Sequence, residues 1–145
     1  MFKGHYLHTI DAKGRLSIPS KLRKYVAPEA DNSFVMLKGV DKCIDLYPKD
    51  KWTEIENKLN TLNQFNPKQL RLIRMMLDNA QEDSMDSQSR ILIPQELLDY
   101  AGIKNEVYVL GALKKIELWN PQTYEEYLKE SDESFEQIAS EVMNL

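Results

Sequence analysis

Cysteine is nearly missing from this chain. The single Cys43 rules out an internal disulfide framework and fits a reducing compartment; its expected place is a strand interior, as a small apolar residue. Glycine is scarce, with five residues in 145, and none builds a phosphate-cradling loop. Of the two histidines, His5 and His8 stand three apart in a predicted strand, so they point to opposite faces and make a poor metal pair. No apolar run approaches the roughly 18 residues of a membrane span, and the opening Met1-Phe-Lys-Gly-His5 has no hydrophobic signal core. No metal-binding helix signature or nucleophile elbow is present. Glu125 and Glu126 read as solvated helix positions rather than an acid–base pair. These absences argue against an enzyme, a cofactor, a metal site, a small-molecule substrate and a membrane partner, and favour a cytoplasmic protein.

What is present is a repeat. Asp11-Ala-Lys-Gly-Arg15-Leu-Ser-Ile-Pro19 returns as Asp86-Ser-Gln-Ser-Arg90-Ile-Leu-Ile-Pro94, 75 residues later. Leu22 and Tyr25 match Leu97 and Tyr100, and Ile44-Asp-Leu46 meets Ile116-Glu-Leu118 at an offset of 72. A repeat of this kind sets the architecture: two copies of one small unit facing each other across a pseudo-twofold axis. Halves of about 70 residues bury too little surface to stand alone, so they must share a core.

The local pattern is α+β with a mainly β core flanked by helices. His5 to Ile10 reads as a strand ending at Asp11, and Asp-x-x-Gly is turn chemistry, with Gly14 free to take a positive φ. Leu16 and Ile18 then face one side while Arg15 and Ser17 face the other. Pro19 opens a short helix with Leu22 and Tyr25 inward. Phe34–Leu37 and Cys43–Tyr47 read as a hairpin around Gly39. Trp52, Ile55, Leu59 and Leu62 give a helix with an apolar stripe that suits a subunit seam as well as the core. Asn66-Pro67 and Asn120-Pro121 are N-caps followed by Pro at the first helical position. The segments are a first repeat with its helix over 3–62, a connecting helix over 63–78, a second repeat over 79–130 and a helical tail over 131–145, all one structural unit.

Net charge is −4, but the distribution matters more than the total. Residues 1–25 carry six basic side chains against one acidic, and residues 121–145 carry seven acidic against one basic. The basic end coincides with the first copy of the motif.

Two Asp-x-x-x-Arg turns leading into Ile-Pro, in a chain of this length, resemble the MraZ family, within the AbrB/MazE/SpoVT group. The resemblance runs from about Lys3 to Tyr127; it is close in the first copy and looser in the second, where Ser89 takes the glycine position and puts an identical turn shape in question. It implies a swapped-hairpin (double-split) β-barrel built from the two SpoVT-AbrB repeats. It also implies a transcriptional regulator, here taken as a repressor, associated with the nucleoid. Such proteins recognise short repeated boxes upstream of the division and cell-wall gene cluster that includes their own gene. The implied partners are double-stranded DNA and further copies of the chain in a closed homo-oligomeric ring.

Carried over by position, the resemblance points to Asp11, Lys13 and Arg15, and to Asp86 and Arg90. Arginine offers a planar fork of donors that suits phosphate or the O6 and N7 edge of guanine. Lys13 at the turn tip suits phosphate, Gln88 stands in its place in the second copy, and Lys3 adds charge. Asp11, Gly14, Asp86 and Ser89 shape the turns. Two other roles for Arg15 stay open: pairing with Asp11, or tying two strands together. An antitoxin-like autorepressor and a protein-binding scaffold on the same barrel are the competing functions, and steep weakening with salt would mark DNA binding.

Overall fold

A computed structural model describes residues 1–145. The first copy contributes β1 (His5–Thr9), β2 (Arg15–Ser17), α1 (Ser20–Arg23), β3 (Ser33–Lys38), β4 (Ile44–Pro48), α2 (Lys49–Asn60) and α3 (Pro67–Leu77). The second contributes β5 (Gln81–Ser84), β6 (Arg90–Leu92), α4 (Gln95–Ala101), β7 (Glu106–Ala112), β8 (Lys115–Trp119), α5 (Pro121–Lys129) and α6 (Phe135–Met143). Asn66 and Asn120 cap α3 and α5, each side chain accepting from two backbone N–H groups, and Ser134 forms a capping box with Gln137 at α6.

Each copy lends its first strand to the other. The six-stranded sheet runs β1-β7-β8-β4-β3-β5, and β2 pairs with β6 in a separate ribbon; every ladder is antiparallel. Exchanging repeat mates turns the sheet order into its own reverse. The axis falls where mates face each other: Leu16 opposite Ile91 in the ribbon, and Asp45 opposite Glu117 in the sheet. The class is α+β with a mainly antiparallel sheet. No ladder closes it into the expected barrel. β1 and β5 remain sheet edges, and the three-residue strands of the ribbon pair only with each other.

The main core lies between sheet and ribbon. Leu16, Ile18 and Leu22 enter it beside their mates Ile91, Ile93 and Leu97, against Phe34, Leu46, Val109 and Leu118. A smaller cluster on the other face of the β3–β4 hairpin holds Val35, Leu37 and Trp52, with Ile55, Leu59 and Met76 packed on it. Most of the α2 stripe therefore packs on the core. Tyr25, expected inward, is 43% exposed.

The axis is asymmetric in the sheet. Two carboxylates facing each other across a ladder repel. Lys115 sets its Nζ 3.1 Å from Asp45 Oδ2 and 3.1 Å from Glu117 Oε2. Burial works against the Lys115 ammonium, but the two carboxylates outweigh it and hold its pKa above the ordinary lysine value. The mate of Lys115 is Cys43, which is buried; burial first, then the charges of Asp45 and Glu117, push its thiol up to about 12, so it stays a neutral, unreactive group.

Lys115→Met leaves Asp45 buried without its counter-ion. Urea unfolding at pH 7 is expected to show a loss of about 3–5 kcal/mol. Burial raises the Asp45 pKa in the fold, so the variant should regain stability as pH falls through that raised value. A loss below about 1 kcal/mol at pH 7 would show that the triad does not hold the axis.

Candidate nucleic-acid interface

Both Asp-x-x-x-Arg turns are built alike. In the first, Asp11 Oδ1 accepts from the N–H of Lys13 at 2.9 Å and of Arg15 at 2.8 Å, and Oδ2 accepts from Arg15 Nε at 2.7 Å. In the second, Asp86 accepts from Gln88 N, Arg90 N and Arg90 Nε, each at 2.9 Å. The Gly14 and Ser89 amides close the turns onto the carbonyls of Asp11 and Asp86. The main-chain N–H of the arginine is the chief cause that holds each aspartate below an ordinary carboxylate, with the guanidinium adding to it. The aspartates thus stay charged down through the ordinary carboxylate range, and the turns loosen only as pH falls through the lowered value.

The second turn keeps the shape of the first although Ser89 replaces the glycine. Ser89 takes φ +59° beside +86° at Gly14. A non-glycine residue in that region is strained by roughly 1–2 kcal/mol. Its hydroxyl is put to use: Ser89 Oγ accepts from Arg23 Nη1 at 2.7 Å. Arg23 lies on α1 of the first copy, and its Nε is buried with no partner of its own. The turns are also tied crosswise, since Ile93 N donates to Gly14 O at 2.9 Å and Ile18 N to Ser89 O at 3.0 Å. Each turn, closed within its own copy, is thus clamped by the other.

The ribbon puts both arginines on one face. Arg15 lies opposite Leu92, and Ser17 opposite Arg90. Leu16 and Ile91 point into the core, so Arg15, Ser17, Arg90 and Leu92 point out. Pairing of Arg15 with Asp11 does occur, and it coexists with exposure: the Arg15 and Arg90 side chains are 31% and 25% exposed. Neither guanidinium makes a hydrogen bond within the chain beyond its Nε, so its two terminal nitrogens remain open.

Lys13 and Gln88 are exposed at the two tips. Lys3 stands apart. It precedes β1 beside Gly111, roughly 25 Å of extended chain from Asp11 at about 3.3 Å per residue. Electrostatically the halves differ. The helices are exchanged between the turns: α1, with Lys21, Arg23 and Lys24, reaches the second turn through Arg23, whereas α4 lies by the first turn, where Leu98 and Asp99 line a cleft with Asp11 and Gly14. The α4 mates of Lys21, Arg23 and Lys24 are Glu96, Leu98 and Asp99. Asp83 Oδ2 accepts from Leu92 N at 3.0 Å beside the second motif. The Arg23–Ser89 and Asp83–Leu92 links escape sequence reasoning. Their signal was the mismatch between copies: Leu98 stands where a second Arg23 would be, and His8 where a second Asp83 would be.

The MraZ family model, described as antitoxin-like, matches residues 1–75 and again residues 76–144. The chain belongs to the MraZ family. Membership implies a transcriptional regulator. No helix is long and apolar enough to cross a membrane.

Ser89→Ala keeps the strained backbone and strips Arg23 of its acceptor. Thermal and urea unfolding are expected to show a loss of about 1–3 kcal/mol. Ser89→Gly, which relieves the φ strain, should lose less. Equal losses for the two variants would contradict this account of the turn.

Proposed function

We propose that this MraZ protein is a sequence-specific DNA-binding repressor. Its site is the outer face of the β2–β6 ribbon, and its targets are repeated boxes upstream of the division and cell-wall gene cluster that includes its own gene. The observation that carries the reading is the common orientation of the two arginines: each is tethered through Nε, with its terminal nitrogens outward on one face of a two-stranded ribbon. The major groove admits such a ribbon. A guanidinium fixed by its Nε edge keeps the forked edge that grips guanine O6 and N7. The paired aspartate also cancels part of the charge, which favours directed base contacts over diffuse attraction to phosphate. Lys13 and Gln88 contact phosphate from the tips, and the protein is nucleoid-associated as a consequence.

One net-acidic subunit binds DNA weakly, so the working form is a closed ring of copies. The helices α3 and α6 support this. Both carry exposed apolar side chains, among them Leu72, Met75 and Leu77 on α3 and Phe135, Val142 and Met143 on α6. α3 carries Lys68, Arg71 and Arg74, whereas Glu136 and Glu141 lie on α6 with Glu130, Asp132 and Glu133 before it. A basic apolar helix and an acidic apolar helix suit head-to-tail contact between neighbouring copies, and a rotation that closes makes a ring. Linked sites then raise affinity by roughly 10²–10⁴ where repeated boxes permit joint engagement.

Two measurements test this reading. Gel shift with DNA from upstream of the gene should show Arg15→Ala weakened by about 5- to 150-fold, the equivalent of one bidentate base contact, with Arg90→Ala weakened less. Unchanged affinity would remove Arg15 from the site. Native mass spectrometry should show a closed oligomer that Leu72→Glu together with Met75→Glu reduces to monomer; a monomeric parent protein would contradict the ring.

A further inference from the structure

The two guanidiniums sit on one ribbon but do not share the same neighbour. Arg15 faces Leu92 across the ladder, and Arg90 faces Ser17. Leu92 and Ser17 are repeat mates, so the axis that equates the arginines sets an isobutyl group beside one and a hydroxyl beside the other. Leu92 is 50% exposed, although its neighbours Ile91 and Ile93 are almost wholly buried. Its Cδ1 lies 3.7 Å from the point that a Cβ on Gly14 would take, so the side chain leans over the first turn, the one that carries Arg15. Its backbone N–H is held by Asp83 Oδ2 at 3.0 Å, which fixes the strand at this residue. The result is an apolar group held among charged and polar ones, on the face that carries both open guanidinium edges.

We infer that Leu92 is a specificity-determining residue that contacts the 5-methyl group of a thymine in the DNA box. The inference rests on the DNA-binding reading above and deepens it. The thymine methyl is the apolar feature that the major groove presents, and apolar side chains are its partners. Ser17 offers no such surface at the mated position. A box read by one subunit is therefore asymmetric: a guanine contact with a thymine beside it on the Arg15 side, and a guanine contact with a polar neighbour on the Arg90 side. Leu92 makes this distinction without adding charge, so it acts on the choice of base and not on the salt dependence.

The test uses the full-length protein and a duplex from the DNA upstream of its gene, with each thymine replaced in turn by deoxyuridine. That exchange deletes the 5-methyl group and leaves pairing intact. For the parent protein, one thymine per box is expected to show a loss of affinity of about 3- to 5-fold, the scale of one buried methyl group. Leu92→Ser should bind the two duplexes equally at that thymine and keep the same salt slope. The variant should fold, because Ser17 already occupies the mated position. A parent protein indifferent to every replacement, or a Leu92→Ser variant with the same thymine preference as the parent, would overturn the role of Leu92 while leaving DNA binding in place. Failure of the parent to form any specific complex with the unmodified duplex would overturn the DNA-binding reading, and the role of Leu92 with it.

Discussion

The antiparallel pairing of β2 with β6 is the constraint on which the site depends. Three residues from each copy meet with Leu16 opposite Ile91, and the core beneath takes both side chains. Period-two alternation leaves Arg15 and Arg90 no choice of face. A slip of one residue would turn both arginines inward and two leucine-sized groups outward. The buried pair prevents the slip, and the crosswise bonds of Ile18 and Ile93 clamp each turn against the other copy. Core packing thus sets the direction of the charged groups.

The two halves share a backbone and differ in chemistry. Both turns use one aspartate to hold two main-chain N–H groups and one Nε. Around that shared frame, the first copy gathers Lys13, Lys21 and Lys24, while the second has Gln88, Glu96 and Asp99 in their places. The axis in the sheet shows the same habit, with Lys115 opposing the charge that two facing acids would otherwise leave unbalanced. Symmetry supplies position at low sequence cost, and departures from symmetry make the two ends of the ribbon chemically distinct.

Much of this was legible in the chain itself. The repeat announced the two copies, turn chemistry located Asp11 and Asp86, and alternation placed Leu16 inside with Arg15 outside. Asn66-Pro67 and Asn120-Pro121 marked helix starts that the structure keeps. What stayed hidden depends on contacts between distant segments. Strand exchange joins β1 to β7 and β5 to β3, and neither strand's own pattern names its partner. The left-handed turn at Ser89 went unread because serine does not advertise a positive φ, and the group that accompanies it, Arg23, lies 66 residues away. The stripe Trp52, Ile55, Leu59 carried no sign of whether it met the sheet or another subunit; the sheet claimed it, and the exposed apolar helices turned out to be α3 and α6.

The central claim is that both turns of one subunit engage the same duplex together. Backbone amide chemical shifts during titration with DNA from upstream of the gene test this most directly. The account predicts that the largest changes gather at two segments, 11–17 and 86–92, and move together at the same DNA ratio. Changes confined to one segment, or centred on α3 and α6 with both turns undisturbed, would contradict it.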